Sequence, residues 1–237
     1  MRRLLLTLCF ALATSSLASA QQMFNLYVGG VTPRAEDARS PASRADCRGC
    51  SDDVLVNDLD FLLFNISDFN TATVGGEYVV GLGDRFDASL GIGIYQRSVP
   101  SIYSGFTNSD GSEIEQTLKL RVIPFAATVR FLPIGRHNGV EPYIGAGVGV
   151  FRWRYSESGQ WVDFRDNSIF RATYIGTGAA SGPMILGGVR VPIGSWGVGG
   201  ELRYQSAEGD LPADQNFAGT KIDLGGFQYL FSVNFRF

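Results

Sequence analysis

From residue 225 to the end the chain alternates with a period of two. The odd positions are Gly225, Phe227, Tyr229, Phe231, Val233, Phe235 and Phe237; the even ones are Gly226, Gln228, Leu230, Ser232, Asn234 and Arg236. Successive side chains of a strand point to opposite faces, so this segment has one aromatic or aliphatic face and one mostly polar face. A soluble sandwich strand can also alternate. Five aromatic rings on one face suit lipid and its headgroups better than a soluble core.

The same pattern recurs upstream. Trp196, Val198, Gly200, Leu202 and Tyr204 alternate with Glu201, Arg203 and Gln205. Ile185, Gly187, Val189 and Val191 alternate with Met184, Leu186, Gly188 and Arg190, and Phe86, Ala88, Leu90, Ile92 and Ile94 with Asp87, Ser89, Gly91, Gly93 and Tyr95. Val74, Gly76, Tyr78, Val80 and Leu82 face away from Glu77. Over residues 117–132 the phase changes: Leu118, Leu120 and Val122 share one face, Phe125, Val129 and Phe131 the other. A β-bulge at Pro124 is the expected reconciliation. With strands at 24–31 and 140–155 the count is eight. Long connections are expected near 32–70, 98–116, 156–170 and 206–220, and short ones at 83–85, 133–139 and 192–195. Such alternation of short turns with long loops is that of an up-and-down barrel.

The N-terminus reads as an export signal. Arg2 and Arg3 precede an apolar run from Leu4 to Leu12, and Ala18-Ser19-Ala20 is a small-x-small cleavage pattern, so residues 1–20 are expected to be removed as a signal peptide, leaving 21–237 as one barrel domain. Cys9 lacks the small preceding residue of a lipobox, because Leu8 stands there. The expected mature chain has 18 basic residues against 23 acidic ones, a net charge of −5, which argues against nucleic-acid partners. It contains no apolar stretch of helix-spanning length. Lipid offers no hydrogen bonds to the backbone, so only helices or closed barrels cross it. The fold class expected is therefore all-β, an eight-stranded antiparallel up-and-down transmembrane β-barrel.

Pro142-Tyr143-Ile144-Gly145-Ala146-Gly147-Val148-Gly149 resembles the Pro-Tyr-x-Gly-x-Gly-x-Gly strand of small bacterial outer-membrane β-barrel proteins, the opacity and outer membrane protein X- and W-like group. The series Tyr229, Phe231, Val233, Phe235 and Phe237 is similar to the assembly signal that the barrel assembly machinery reads in that group. At residue level the resemblance covers these two stretches; in topology it covers nearly all of 21–237. It implies integral residence in the outer membrane among its lipids and lipopolysaccharide. It does not select an activity, since such barrels include adhesion proteins, small-solute channels and lipid-modifying enzymes.

Several residues invite a chemical role. Glu77, Asp87, Arg97, Lys119, Arg121, Arg130, Arg190, Glu201 and Arg203 are expected to face the lumen. Eight strands leave room only for side chains, so a salt-bridged polar plug is the plainer reading and a narrow charged conduit the sharper one. Cys47-Arg48-Gly49-Cys50 is expected to be a local disulfide in the first loop. A zinc site wants four ligands, and a redox couple wants a helix start in a βαβ unit. Val54-Leu55-Val56 and Phe61-Leu62-Leu63-Phe64 are apolar for a loop, suiting either a strand extension or short helix folded over the mouth or an exposed contact patch. Asp110, Glu113, Glu115, Asp163 and Asp166 lack calcium-loop spacing and read as a solvated surface. His137 stands alone in a short turn, so no general base faces a nucleophile. No catalytic, metal or cofactor site is expected. The function expected is a non-enzymatic, monomeric outer-membrane barrel with a structural or surface-interaction role, its loops available to a surface ligand. The alternatives are a narrow channel for small or hydrophobic solutes and, more remotely, a lipid-modifying enzyme.

Overall fold

The computed structural model describes residues 21–34, 51–136 and 139–237. The expected signal segment 1–20, the Cys47–Cys50 pair and His137 lie outside the described residues. No described helix is long and apolar enough to cross a membrane.

Eight antiparallel strands close into a ring. In chain order they are β1 (Gln22–Pro33), β3 (Thr71–Leu82), β4 (Phe86–Thr107), β5 (Glu113–Phe131), β6 (Glu141–Asp163), β7 (Ser168–Ile193), β8 (Trp196–Gln205) and β11 (Gly226–Arg236). Each pairs with its sequence neighbour among these eight, and β11 pairs with β1 from Met23↔Arg236 to Pro33↔Gly226, so no barrel edge is left open. Three further short strands, β2 (Leu62–Leu63), β9 (Glu208–Asp210) and β10 (Lys221–Asp223), and one short helix, α1 (Val54–Asp58), belong to the long connections. The tight turns at 83–85 and 194–195 carry Gly83 and Gly194 at φ 74° and 67°, a conformation that strongly favours glycine. These turns and both barrel termini lie at one end, and the long connections lie at the other.

A belt of exposed apolar side chains rings the short-turn half: Leu26 and Val28, Leu90 and Ile92, Phe125 and Val129, Ile144 and Val148, Ile185 and Val189, Val198 and Leu202, Phe231 and Val233. Phe231 is 71% exposed. On β5 the belt runs over nine residues, from Ile123 to Phe131. At ~3.4 Å per residue and a tilt near 40° that spans roughly 20–25 Å, the height of a barrel's lipid-facing band. The belt makes this a transmembrane β-barrel.

β5 is continuous where a bulge was expected. Its burial alternates without interruption from Ile114 to Arg130, and its register with β6 runs unbroken from Gln116↔Gly159 to Phe131↔Ile144. On the β4 side one register holds from Phe86↔Phe131 to Ile102↔Glu115, skipping beside Pro124 only Gly93 and Ile94, which face the proline's missing donor; the register shifts far from the proline, between Ile102 and Thr107. The apparent change of phase arises because β5 leaves the membrane. Below Ile123 apolar side chains point outward into lipid. Above it the outside is polar, so Leu118, Leu120 and Val122 point inward and are buried. The segments expected as loops near 98–116 and 156–170 are largely strand, with turns only at 108–112 and 164–167.

Candidate functional site

The lumen has two levels. In the short-turn half it holds an ion-pair network. Arg130, 2% exposed, bridges Glu77 at 2.6 Å and Glu201 at 2.8 Å, and Arg203 reaches Glu201 at 2.6 Å and Glu77 at 3.8 Å. Glu77 also accepts from Ser89 Oγ at 2.8 Å and Asn25 Nδ2 at 3.3 Å. A second group lies nearer the short turns. Asp87 accepts from Arg190 at 2.7 Å and from Arg136, and Glu141 binds Arg190 at 3.2 Å and Arg236 at 2.8 Å. Tyr143 joins the two groups, its ring 5.1 Å from the Arg130 guanidinium and 5.3 Å from that of Arg190, while its hydroxyl donates to Glu201 at 3.1 Å. Gly188 makes space for that ring: a Cβ there would lie 2.6 Å from the Tyr143 hydroxyl oxygen. Each buried charge of this network thus has an opposite charge beside it, without which burial would be prohibitive.

Above the network the filling is apolar. Tyr95, Val99, Tyr103, Leu118, Val122, Phe151, Trp153 and Tyr155 form one core with residues of the first long connection. From that connection Val54, Leu55, Val56, Leu62, Ile66 and Phe69 enter the mouth. α1 is capped by Asp53, whose Oδ1 accepts from the Val56 amide at 3.1 Å. The last connection holds it in place. Asp53 Oδ2 accepts from the Asp223 amide at 2.6 Å, the amides of Thr220 and Lys221 donate to the Asp52 carbonyl at 2.9 and 2.8 Å, and Asn57 Nδ2 donates to the Ala218 carbonyl at 2.6 Å. Both apolar segments therefore fold over the mouth, one as helix and the other as β2 paired to Tyr103 and Ile102 of β4. Burial pushes the Asp53 carboxyl up to about 6.

Of the nine charges expected in the lumen, the structure gathers six: Glu77, Asp87, Arg130, Arg190, Glu201 and Arg203. Lys119 and Arg121 point outward above the belt, because the inward series there is Leu118, Leu120 and Val122. Arg97 is on the inward series of β4 but exposed, its Nε donating to the Asp68 carbonyl at 2.8 Å. Arg136, Glu141, Tyr143 and Arg236 complete the network and were not among the expected members. Arg236 had the right parity, and Tyr143 lay in the recognised motif, but Arg136 and Glu141 sit at a turn and a strand start where parity is undefined. Tyr229, Phe231, Val233, Phe235 and Phe237 are all exposed on the outer face. Asp110, Asp163 and Asp166 accept from the amides of Ser112, Arg165 and Ser168, within their own turns.

No family model matches the chain, and no curated protein matches it. Among solved structures it is similar to Neisserial surface protein A (12% identity, 92% of this chain and 98% of that one, TM-score 0.46). It is also similar to the attachment invasion locus protein Ail of Yersinia pestis, solved in complex with the heparin analogue sucrose octasulfate (9%, 92% and 99%, TM-score 0.41). A third is the N-terminal β-barrel domain of Pseudomonas aeruginosa OprF (12%, 91% and 97%, TM-score 0.39). The chain is an eight-stranded transmembrane β-barrel, and the solved structures it is similar to are small outer-membrane barrels.

Proposed function

We propose that the protein is an integral outer-membrane barrel with a closed lumen, acting in envelope integrity or surface interaction through the connections at its long-loop end. It is non-enzymatic and monomeric in this reading. Residues 1–20 are removed on export, and the barrel assembly machinery reads the strand ending at Phe237. The long-loop end then faces the cell exterior and the short turns face the periplasm, as in other barrels of this build.

The observation that carries this reading is the filling of the lumen at both levels. Arg130 and Arg190 are each 2% exposed within their carboxylates, and Leu55 of α1 is fully buried in the mouth. An ion would have to break these pairs and then displace the helix. In the short-turn half the described acids and bases are paired with one another. Planar-bilayer recordings of the refolded barrel test the reading. No discrete openings are expected, and ohmic steps would make the protein a channel instead.

A further inference from the structure

Four cations stand together on the outside of the barrel immediately above the lipid belt. Lys119 and Arg121 project from β5, and Arg152 and Arg154 from β6; all four are exposed. Arg121 is directly opposite Arg154 in the ladder, and Lys119 and Ser156 form the next outward-facing pair above. Like charges directly opposite on one sheet face are destabilising. None of the four makes a hydrogen bond or ion pair with another described residue; the nearest acids on their face of β5, Glu115 and Glu113, lie farther toward the loop end.

The four side chains line two shallow grooves that meet at Arg121 and Arg154. The lower has Ile123, Phe125 and Val150 of the lipid belt as its floor and Arg152 at its side. The upper is closed by Gln96, Lys119 and Ser156. An occupant of the lower groove would have apolar chains against the belt and negative charge one residue pair above it. That arrangement describes a lipid at headgroup level, since a guanidinium pair binds phosphate oxygens through parallel charge-assisted bonds. One glycerophospholipid phosphate would occupy a single groove. Two adjoining cationic grooves suit a headgroup carrying two phosphates on a rigid sugar frame.

Resting on the outer-membrane orientation given above, we propose that this face binds the headgroup of a bis-phosphorylated, multiply acylated glycolipid of the outer leaflet, lipid A in chemical class. Arg121, Arg152 and Arg154 hold one phosphate over the acyl chains, and Lys119 with Arg121 and Arg154 holds the second. The bound anion relieves the repulsion between Arg121 and Arg154.

Native mass spectrometry of the barrel in neutral detergent, titrated with lipid A, monophosphoryl lipid A or phosphatidylglycerol, tests this without reference to cell location. Tight one-to-one binding of lipid A is expected, weaker binding of the monophosphoryl form, and weakest of phosphatidylglycerol. Replacing Lys119, Arg121, Arg152 and Arg154 together by Gln should weaken lipid A binding by about ten-fold or more, since each cation near an anionic lipid contributes appreciably. The pair R121Q and R154Q alone should weaken it partially, which keeps the test usable if the quadruple variant refolds poorly. Unchanged lipid A binding in these variants would overturn the site. Equal affinity for phosphatidylglycerol would overturn the glycolipid and leave a general anionic-lipid girdle. Discrete conductance, by contrast, would overturn the closed lumen and leave this result standing.

Discussion

Tyr155 of β6 donates its phenol to Asp58 Oδ2 at 3.1 Å, tying the barrel wall to the last residue of the helix that fills the mouth. Glu157, two residues farther along the same strand, faces the same interior, and both carboxyls are buried. Asp58 Oδ1 and Glu157 Oε1 have no hydrogen-bond partner among the described residues. These groups lie above the lipid belt, where β6 has already turned its arginines outward. Burial, and then the Glu157 charge, holds the Asp58 carboxyl well above the usual carboxylate range. Burial pushes Glu157 up to about 7.

The docking of α1 is therefore expected to depend on pH, and the sign follows from the raised values. Both acids are neutral in water only at low pH, but the docked state keeps them protonated higher up. The stabilisation from Glu157 is complete below its ordinary value of 4.5 and is lost as pH rises through about 7, and that from Asp58 is complete below 3.8 and is lost as pH rises through its own raised value. Hydrogen exchange of residues 54–58 should speed up between pH 6 and pH 9 by more than the intrinsic chemical increase. The double variant D58N and E157Q should flatten that excess. The same excess in the double variant would place the titration elsewhere.

Leu55 allows a test of how far the mouth is independent of the barrel. It is fully buried within the upper core, and truncating such a leucine typically costs about 2–5 kcal/mol. Because α1 belongs to a connection and not to the ring, the loss is expected to fall on the docked helix. L55A should expose residues 54–58 to protease while heat-modifiable migration of the barrel stays unchanged. Loss of both together would show that the helix and ring fold as one unit.

The lumen network predicts a different kind of loss. Replacing Arg130 by Ala strands Glu77 without its closest cation and removes one of the two cations beside Glu201. Breaking a buried pair in this way costs about 3–5 kcal/mol. The double variant R130M and E77M removes both charges and should recover much of that loss, since Glu201 keeps Arg203 at 2.6 Å. Urea-dependent unfolding in lipid vesicles checks both, and a double variant no better than R130A would mean that the network acts through packing alone.

The ring, its order and its lipid face were legible because a period of two survives any detail of packing. The parity of Glu201 and Arg203 against Leu202 is the same in sequence and in structure. What parity cannot reveal is where the membrane stops. On β5 the outward series reads Lys119, Arg121, Ile123 and Phe125, and the inward one reads Leu118, Leu120, Val122 and Pro124. Without the height of the boundary, the leucines resemble a lipid face and the cations a lumen. The role of Val54-Leu55-Val56 was half legible: its apolarity demanded cover. That the cover is the barrel's own mouth depends on Asp52, Asp53 and Asn57 meeting residues 218–223, a pairing across more than 160 residues of chain.

The height of that boundary is itself measurable by placing the same charge at two outward positions of one strand. Val129 is in the belt, half exposed, between Ala88 and Ala146 on the neighbouring strands. Thr117 points the same way but sits one outward residue above Lys119. Arg at Val129 should cost about 2–4 kcal/mol, as for cations near the bilayer midplane, and Arg at Thr117 about zero. The contrast cannot come from strand propensity, because both sites are exposed positions of one continuous strand. Reversible unfolding from lipid vesicles would read the two values. Equal costs would mean that lipid reaches Thr117, and Lys119 and Arg121 would then lie within the hydrocarbon instead of at its edge.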